Sequence, residues 1–111
     1  MDKIKRYEQI ILSILEEYAK IRYENVEGGN YLIADKDRHR YQVVTIGWQG
    51  YRFVHDCPMH MDIINEKIWI FQNVTEWDLG EMLEAQGVPK SDIVLGFLAE
   101  KTRAYSDYAI A

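Results

Sequence analysis

YQVVTIGWQGYRFVHDCPMHMDIINEKIWIFQN, residues Tyr41 to Asn73, decides the fold. β-Branched and aromatic residues recur through it at short intervals, broken by turn residues, which is the pattern of successive strands. Tyr41–Trp48 and Tyr51–Cys57 flank Gln49-Gly50, a two-residue loop whose glycine tolerates positive φ. Met59–Ile64 and Lys67–Asn73 flank Asn65-Glu66, where Asn suits the turn and Glu suits it less well than Gly. Pro58 has no amide donor and predicts a corner between the two hairpins.

Two-residue loops set register, so the residues that share a face can be read directly. Met59, Met61, Ile63, Ile68 and Ile70 fall together, as do Val44, Ile46, Trp48, Tyr51 and Phe53, and both sets are expected to face the core. The opposite face then presents His60, Asp62, Lys67, Trp69 and Phe71 from one hairpin. From the other it presents Tyr41, Val43, Arg52, Val54 and Asp56. That mixture is too aromatic for a plainly solvated surface, and aromatic patches with polar rims mark contact sites. Trp69, Phe71 and Tyr41 are therefore candidate partner contacts. Cover by the C-terminal tail and a homodimer through this face are the alternatives.

Upstream, Ile4, Tyr7, Ile11, Ile14, Tyr18 and Ile21 alternate in steps of three and four, giving a helix from about Asp2 to Arg22 with one apolar face. Gly28-Gly29 punctuates its end, and Tyr31–Ala34 is a first strand. Downstream, Thr75 opens a second helix with Asp78 in a capping-box position, and Gly87 is placed to close it. On that helix Leu79, Met82 and Leu83 share a face, while Trp77 projects to the other side with Glu81 and Glu84. From Ile68 to Pro89 there is no Lys or Arg. Trp77, Glu81 and Glu84 thus suit contact with a basic partner. Pro89 begins a short turn or helix, Ile93–Phe97 is apolar, and Tyr105–Ala111 adds a last strand. The expected fold is α+β: an N-terminal helix and a second helix on one face of a four- to five-stranded antiparallel sheet, in a single domain spanning residues 1–111.

Charge constrains the partner. The chain holds 18 acidic and 13 basic side chains, a net −5. DNA-gripping proteins cluster Lys and Arg against phosphates. Lys36, Arg38 and Arg40, with Lys3, Lys5 and Arg6, are the available basic clusters, and acids flank both. A protein partner fits this field better than DNA. The opening MDKIKRYEQ has no apolar region, so no signal peptide is expected. The single Cys57 points to a reducing, cytoplasmic setting.

Few residues suggest chemistry. His55, Cys57 and His60 form H-x-C-x-x-H, with metal-like residue types but no zinc-finger spacing and no fourth ligand unless Asp56 or Asp62 serves. Cys57 with His60 has nothing to lower its thiol pKa. Ser13, Ser91 and Ser106 lie in no nucleophile elbow, and Gly28-Gly29 lacks the spacing and lysine of a phosphate loop. Asp62, Glu66 and Lys67 are most simply hairpin-turn residues. Neither an enzyme nor a cofactor is expected.

Several blocks carry a family resemblance: MDKIKRYEQIILSILEEYA at the start, DKDRHRYQ at Asp35–Gln42 and V-x-x-G-W at Val44–Trp48. To these add Cys57 with His60, KIWI at Lys67–Ile70, Thr75-Glu76, GVPKSDIVLGF at Gly87–Phe97 and the closing A-I-A. In these the chain resembles the XisI family of element-excision controlling factors, nearly end to end. It departs from that pattern at Asp56 and Glu66, where the family favours Gly, and at Leu98, where His is common. XisI-like proteins are associated with excision of a DNA element interrupting a ferredoxin-type gene, alongside a recombinase and a nuclease-like companion, XisH. The resemblance implies a non-catalytic accessory protein that binds an XisH-like companion, and it transfers no catalytic residue. The alternatives are a DNA-binding directionality factor acting through Lys36, Arg38 and Arg40, and, last, a metal-dependent nuclease using His60 and Asp62.

Overall fold

The computed structural model describes residues 2–111. Helix α1 (Lys3–Ala19) starts at Asp2, whose carboxylate accepts from the Lys5 amide at 2.9 Å. That satisfies one of the amides a helix start leaves open. Its stripe buries Tyr7, Ile11, Ile14, Leu15 and Tyr18. Burying an Ile or Leu side chain stabilises by about 1.5–3 kcal/mol, so this face, more than helix propensity, holds α1 in place.

Five strands follow in sequence order: β1 (Glu27–Asp35), β2 (Arg40–Gln49), β3 (Arg52–Ile64), β4 (Lys67–Asn73) and β5 (Ile93–Leu95). The first four form an antiparallel meander, and β5 pairs parallel to β4. A parallel neighbour needs a crossover, and the segment carrying α2 (Leu79–Ala85) supplies it. The sheet is therefore mixed rather than wholly antiparallel. Tyr105–Ala111 adds only a single bridge, Ala109 to Val94, after a one-turn helix α3 (Glu100–Arg103).

Four local expectations are corrected. Gly28-Gly29 lies inside β1, where Gly28 opposes Gly47; a Cβ on Gly28 would come 2.1 Å from the Ile46 carbonyl oxygen, so the strands close only with glycine there. The β2–β3 loop is Gly50-Tyr51, one residue later than read, because Gln49 pairs with Arg52. Thr75 does not open the helix. Its hydroxyl closes a turn with Asn73 and accepts from the Trp77 amide at 3.1 Å, leaving Asp78 as the N-cap that accepts from Glu81 at 3.1 Å. At the other end Gly87, at φ +96°, donates to Glu84 O while Val88 donates to Leu83 O, a Schellman closure.

The fourth correction is the largest. Pro58 is no corner: β3 runs unbroken from Arg52 to Ile64. Val43 pairs with Met59 and Thr45 with Asp56, so Cys57 and Pro58 together oppose Val44. This is a β-bulge, one of the few places a sheet accepts proline. The extra residue reverses the alternation. Tyr41 and Val43 therefore share the helix-covered face with Met59, Met61, Ile63, Ile68 and Ile70, and all seven are in the core. Val44, Ile46, Trp48 and Phe53, expected in the core, occupy the opposite face.

Candidate partner interface

The face away from α1 divides in two. Over β4 the C-terminal segment covers it. Trp69 stacks against Phe71 at 5.9 Å, and the Arg103 guanidinium lies over the Trp69 ring at 5.0 Å. Arg103 is held there by donating to the carbonyls of Leu98 at 3.0 Å and Ile110 at 2.5 Å. Gly96 lets this segment approach, since a Cβ there would meet Phe71 at 2.8 Å. Trp69 and Phe71 are half-buried as a result, and Trp69 Nε1 has no hydrogen-bond partner among the described residues. Beside them His60 Nε2 lies 2.7 Å from Asp62 Oδ1, and Arg40 Nε lies 3.8 Å from Asp62.

Over β1–β3 the same face is open. Tyr31, Ile33, Trp48 and Phe53 are exposed, and Trp48 packs edge-on against Phe53 at 5.1 Å. Cross-strand pairing joins them: Tyr31 opposes Val44 and Trp48 opposes Phe53. Sequence reading missed this patch because it ignored the bulge. Pro58, directly before the alternating Met59-His60-Met61-Asp62-Ile63 and inside an otherwise continuous strand pattern, was the signal that could have revealed it. Tyr41, read as an open-face contact, is instead fully buried; its hydroxyl donates to Glu8 and lies 3.2 Å from His39 Nδ1.

A second region surrounds the start of α2. An open groove of about 370 Å³ is walled by Ile70, Trp77, Leu79, Leu95, Phe97 and Tyr108, with Asn73 and Asp78 at its polar side. Trp77 precedes the N-cap rather than projecting from the helix, and its ring meets Tyr18 edge-on at 5.1 Å. Glu76, Asp78 and Glu81 are exposed around it. Glu84 is engaged otherwise: it accepts from the Tyr108 hydroxyl at 2.9 Å, and Lys90 Nζ lies 3.9 Å away. Burial first, and then that bond to Glu84, push the Tyr108 hydroxyl up to about 12.

The basic candidates lie in and beside the β1–β2 turn. Arg38 Nη1 is 3.1 Å from Asp35, Arg40 is the residue near Asp62, and Lys36 is exposed. Each arginine is thus matched to an acid. His55, Cys57 and His60 do not converge, and no three His, Cys, Asp or Glu side chains gather as a metal site among the described residues. The Cys57 Sγ lies 3.3 Å from Met59 O and 3.4 Å from Gln42 Oε1, two acceptors for its one proton, and burial pushes its pKa up. That is the opposite of an activated nucleophile. No helix among the described residues is long and apolar enough to cross a membrane.

The family model described as "XisI protein" matches residues 1–110. The chain belongs to the XisI family. A crystal structure of a XisI-like protein from Anabaena variabilis is 38% identical and superposes with a TM-score of 0.88, covering 97% of this chain and 99% of that one. Another, of the fdxN element excision controlling factor XisI from the same organism, is 30% identical with a TM-score of 0.84, covering 99% and 100%. Among curated proteins none matches. The chain places the family-like DKDRHRYQ block at the β1–β2 turn and KIWI in β4. GVPKSDIVLGF runs from Gly87, just after α2, through the 3₁₀ turn Lys90–Asp92, where Asp92 is buried, and through β5.

Proposed function

We propose that this XisI-family chain is a non-catalytic accessory protein that binds a basic companion protein, of the XisH kind, through the α2 groove. The observation that carries the reading is the groove itself. An open apolar channel with Trp77 and Phe97 in its walls lies beside a segment, Ile68 to Pro89, that has four acids and no Lys or Arg. An aromatic-lined pocket gives a partner side chain something to fill, and the surrounding acids steer a basic surface towards it. The family name supports a role in controlling excision of a DNA element, and a nucleic-acid-processing companion would carry the positive groove that such acids match.

The test is binding of the purified XisH-type companion to the native chain and to Glu76→Lys, Glu81→Lys and Phe97→Ala. The reading expects a complex whose affinity falls with salt and falls about tenfold or more in each variant. Glu84 is left unchanged because its carboxylate holds Tyr108. An undiminished complex in Glu76→Lys/Glu81→Lys would remove the charge argument.

A further inference from the structure

We propose that the open face of β1–β3 packs against the same face of a second copy of this chain, making a four-layer helix–sheet–sheet–helix dimer. The groove at α2 is left outside that contact, so the proposal stands apart from the companion-binding reading.

Exposure is the first argument. An antiparallel sheet covered by helices on one side ordinarily shows polar residues on the other. Here Tyr31 is 52% exposed, Ile33 46%, Trp48 51% and Phe53 51%, all on one side of three adjacent strands. Val44, at their centre, is 5% exposed although it points away from α1. Tyr31 leans over Gly29, where a Cβ would lie in ordinary contact, 3.7 Å, with the Tyr31 hydroxyl. The patch is thus a continuous apolar surface, not a scatter of single residues.

Area is the second. A fully exposed aromatic side chain presents about 150–250 Å², so four large side chains at half exposure amount to roughly 400 Å². An interface is only a little over half apolar, so a patch of that size at its centre corresponds to about 700 Å² per partner. That approaches the roughly 800 Å² of a stable complex.

Charge selects the occupant. The chain carries −5, and two copies repel across most approaches. The open face differs. At one end of its strands Asp35 is paired with Arg38 and Asp62 with Arg40, and of these charges and Glu27 the sum is three acids against two bases, or −1. A second copy meets little repulsion here, whereas a strongly basic partner is drawn to the acids around α2 instead. Two such sheets stack about 10 Å apart with inner side chains interdigitating.

Sedimentation velocity on the full chain between 1 and 100 μM tests this. A mass near 26 kDa, twice the 13.1 kDa chain, is expected. Trp48→Lys should weaken self-association at least about 30-fold, with the circular dichroism spectrum unchanged because Trp48 is half in solvent. Tyr31→Ser provides a gentler variant should Trp48→Lys disturb folding, and it should weaken the dimer in the same direction. Glu81→Lys, on the other surface, should leave the dimer intact. A chain that is monomeric at 100 μM overturns the proposal, as does a dimer indifferent to both Trp48→Lys and Tyr31→Ser. So does a monomer whose companion binding is lost in Trp48→Lys, which would give the face to a different protein.

Discussion

The Tyr7 hydroxyl donates a hydrogen bond to the carboxylate of Asp92, tying the first two turns of α1 to the 3₁₀ turn before β5, 85 residues further on. Lys3 Nζ completes the cluster at 2.8 Å from the same carboxylate. Burial by itself would raise the Asp92 pKa, but Lys3 and the Tyr7 hydroxyl outweigh it and hold the group below the ordinary carboxylate range. Tyr7 moves the other way, its burial and the bond to Asp92 pushing it up to about 12.

The sign of the pH dependence follows. A carboxyl whose folded pKa is depressed stabilises the fold above its unfolded value of about 3.9 and loses that contribution as pH falls through the folded value. Asp92→Asn should therefore flatten the fall in stability between pH 5 and pH 2. At pH 7 it should cost about 1–3 kcal/mol, since Lys3 and Tyr7 lose a charged acceptor. Urea unfolding at pH 7 and pH 3 reads both effects. A full acid-dependent fall retained in Asp92→Asn would place the titration elsewhere.

Asn65 and Glu66 both have positive φ, +51° and +62°, in the two-residue turn joining β3 to β4. Such a turn favours Asn-Gly, and a residue with a Cβ is strained in its second position. Glu66→Gly should raise stability by about 0.5–1 kcal/mol, the relief of strain exceeding the added chain entropy of glycine. Thermal unfolding measures it, and a fall in Tm would contradict the turn geometry.

Gly80 lies under Tyr108. A Cβ on Gly80 would approach the Tyr108 hydroxyl oxygen to 2.4 Å. Alanine improves helix propensity by about 1 kcal/mol, yet in the native chain Gly80→Ala must displace Tyr108 and break its bond to Glu84. The expected net effect is a loss of about 1 kcal/mol. In a Tyr108→Ala background the sign should reverse and the same substitution should stabilise. Additive effects in the double variant would mean that the two residues do not touch.

Cys57 is half-buried with its thiol raised by burial. Its reaction with a disulfide reagent should be slow at pH 7 and still climbing above about pH 9.5, where an ordinary thiol, with a pKa near 8.5, is almost wholly ionised and levels off. Unfolding in denaturant should restore the ordinary profile. Fast labelling of the native chain at pH 7 would be the contrary result.

The sequence by itself determined most elements and the family. The three- and four-residue steps of the α1 stripe, the alternation in β2 and from Lys67 to Ile70 in β4, Asn65-Glu66 as a turn and Gly87 as a helix stop are all local, and each survived because tertiary packing agrees with local preference. The helix-facing set Met59, Met61, Ile63, Ile68 and Ile70 was legible for the same reason. Tertiary structure alone decided which face Tyr41 and Trp48 occupy. A single extra residue at Cys57-Pro58 reverses every side chain beyond it, and a period-two pattern carries no mark of where the count slips. Tertiary structure also decided which acids are free. Glu81 and Glu84 lie three apart in the sequence, but a tyrosine from the C-terminal segment engages only Glu84. Contacts between segments distant along the chain leave no periodicity to read, so the open patch and the α2 groove emerge only when the bulge and the tail are in place.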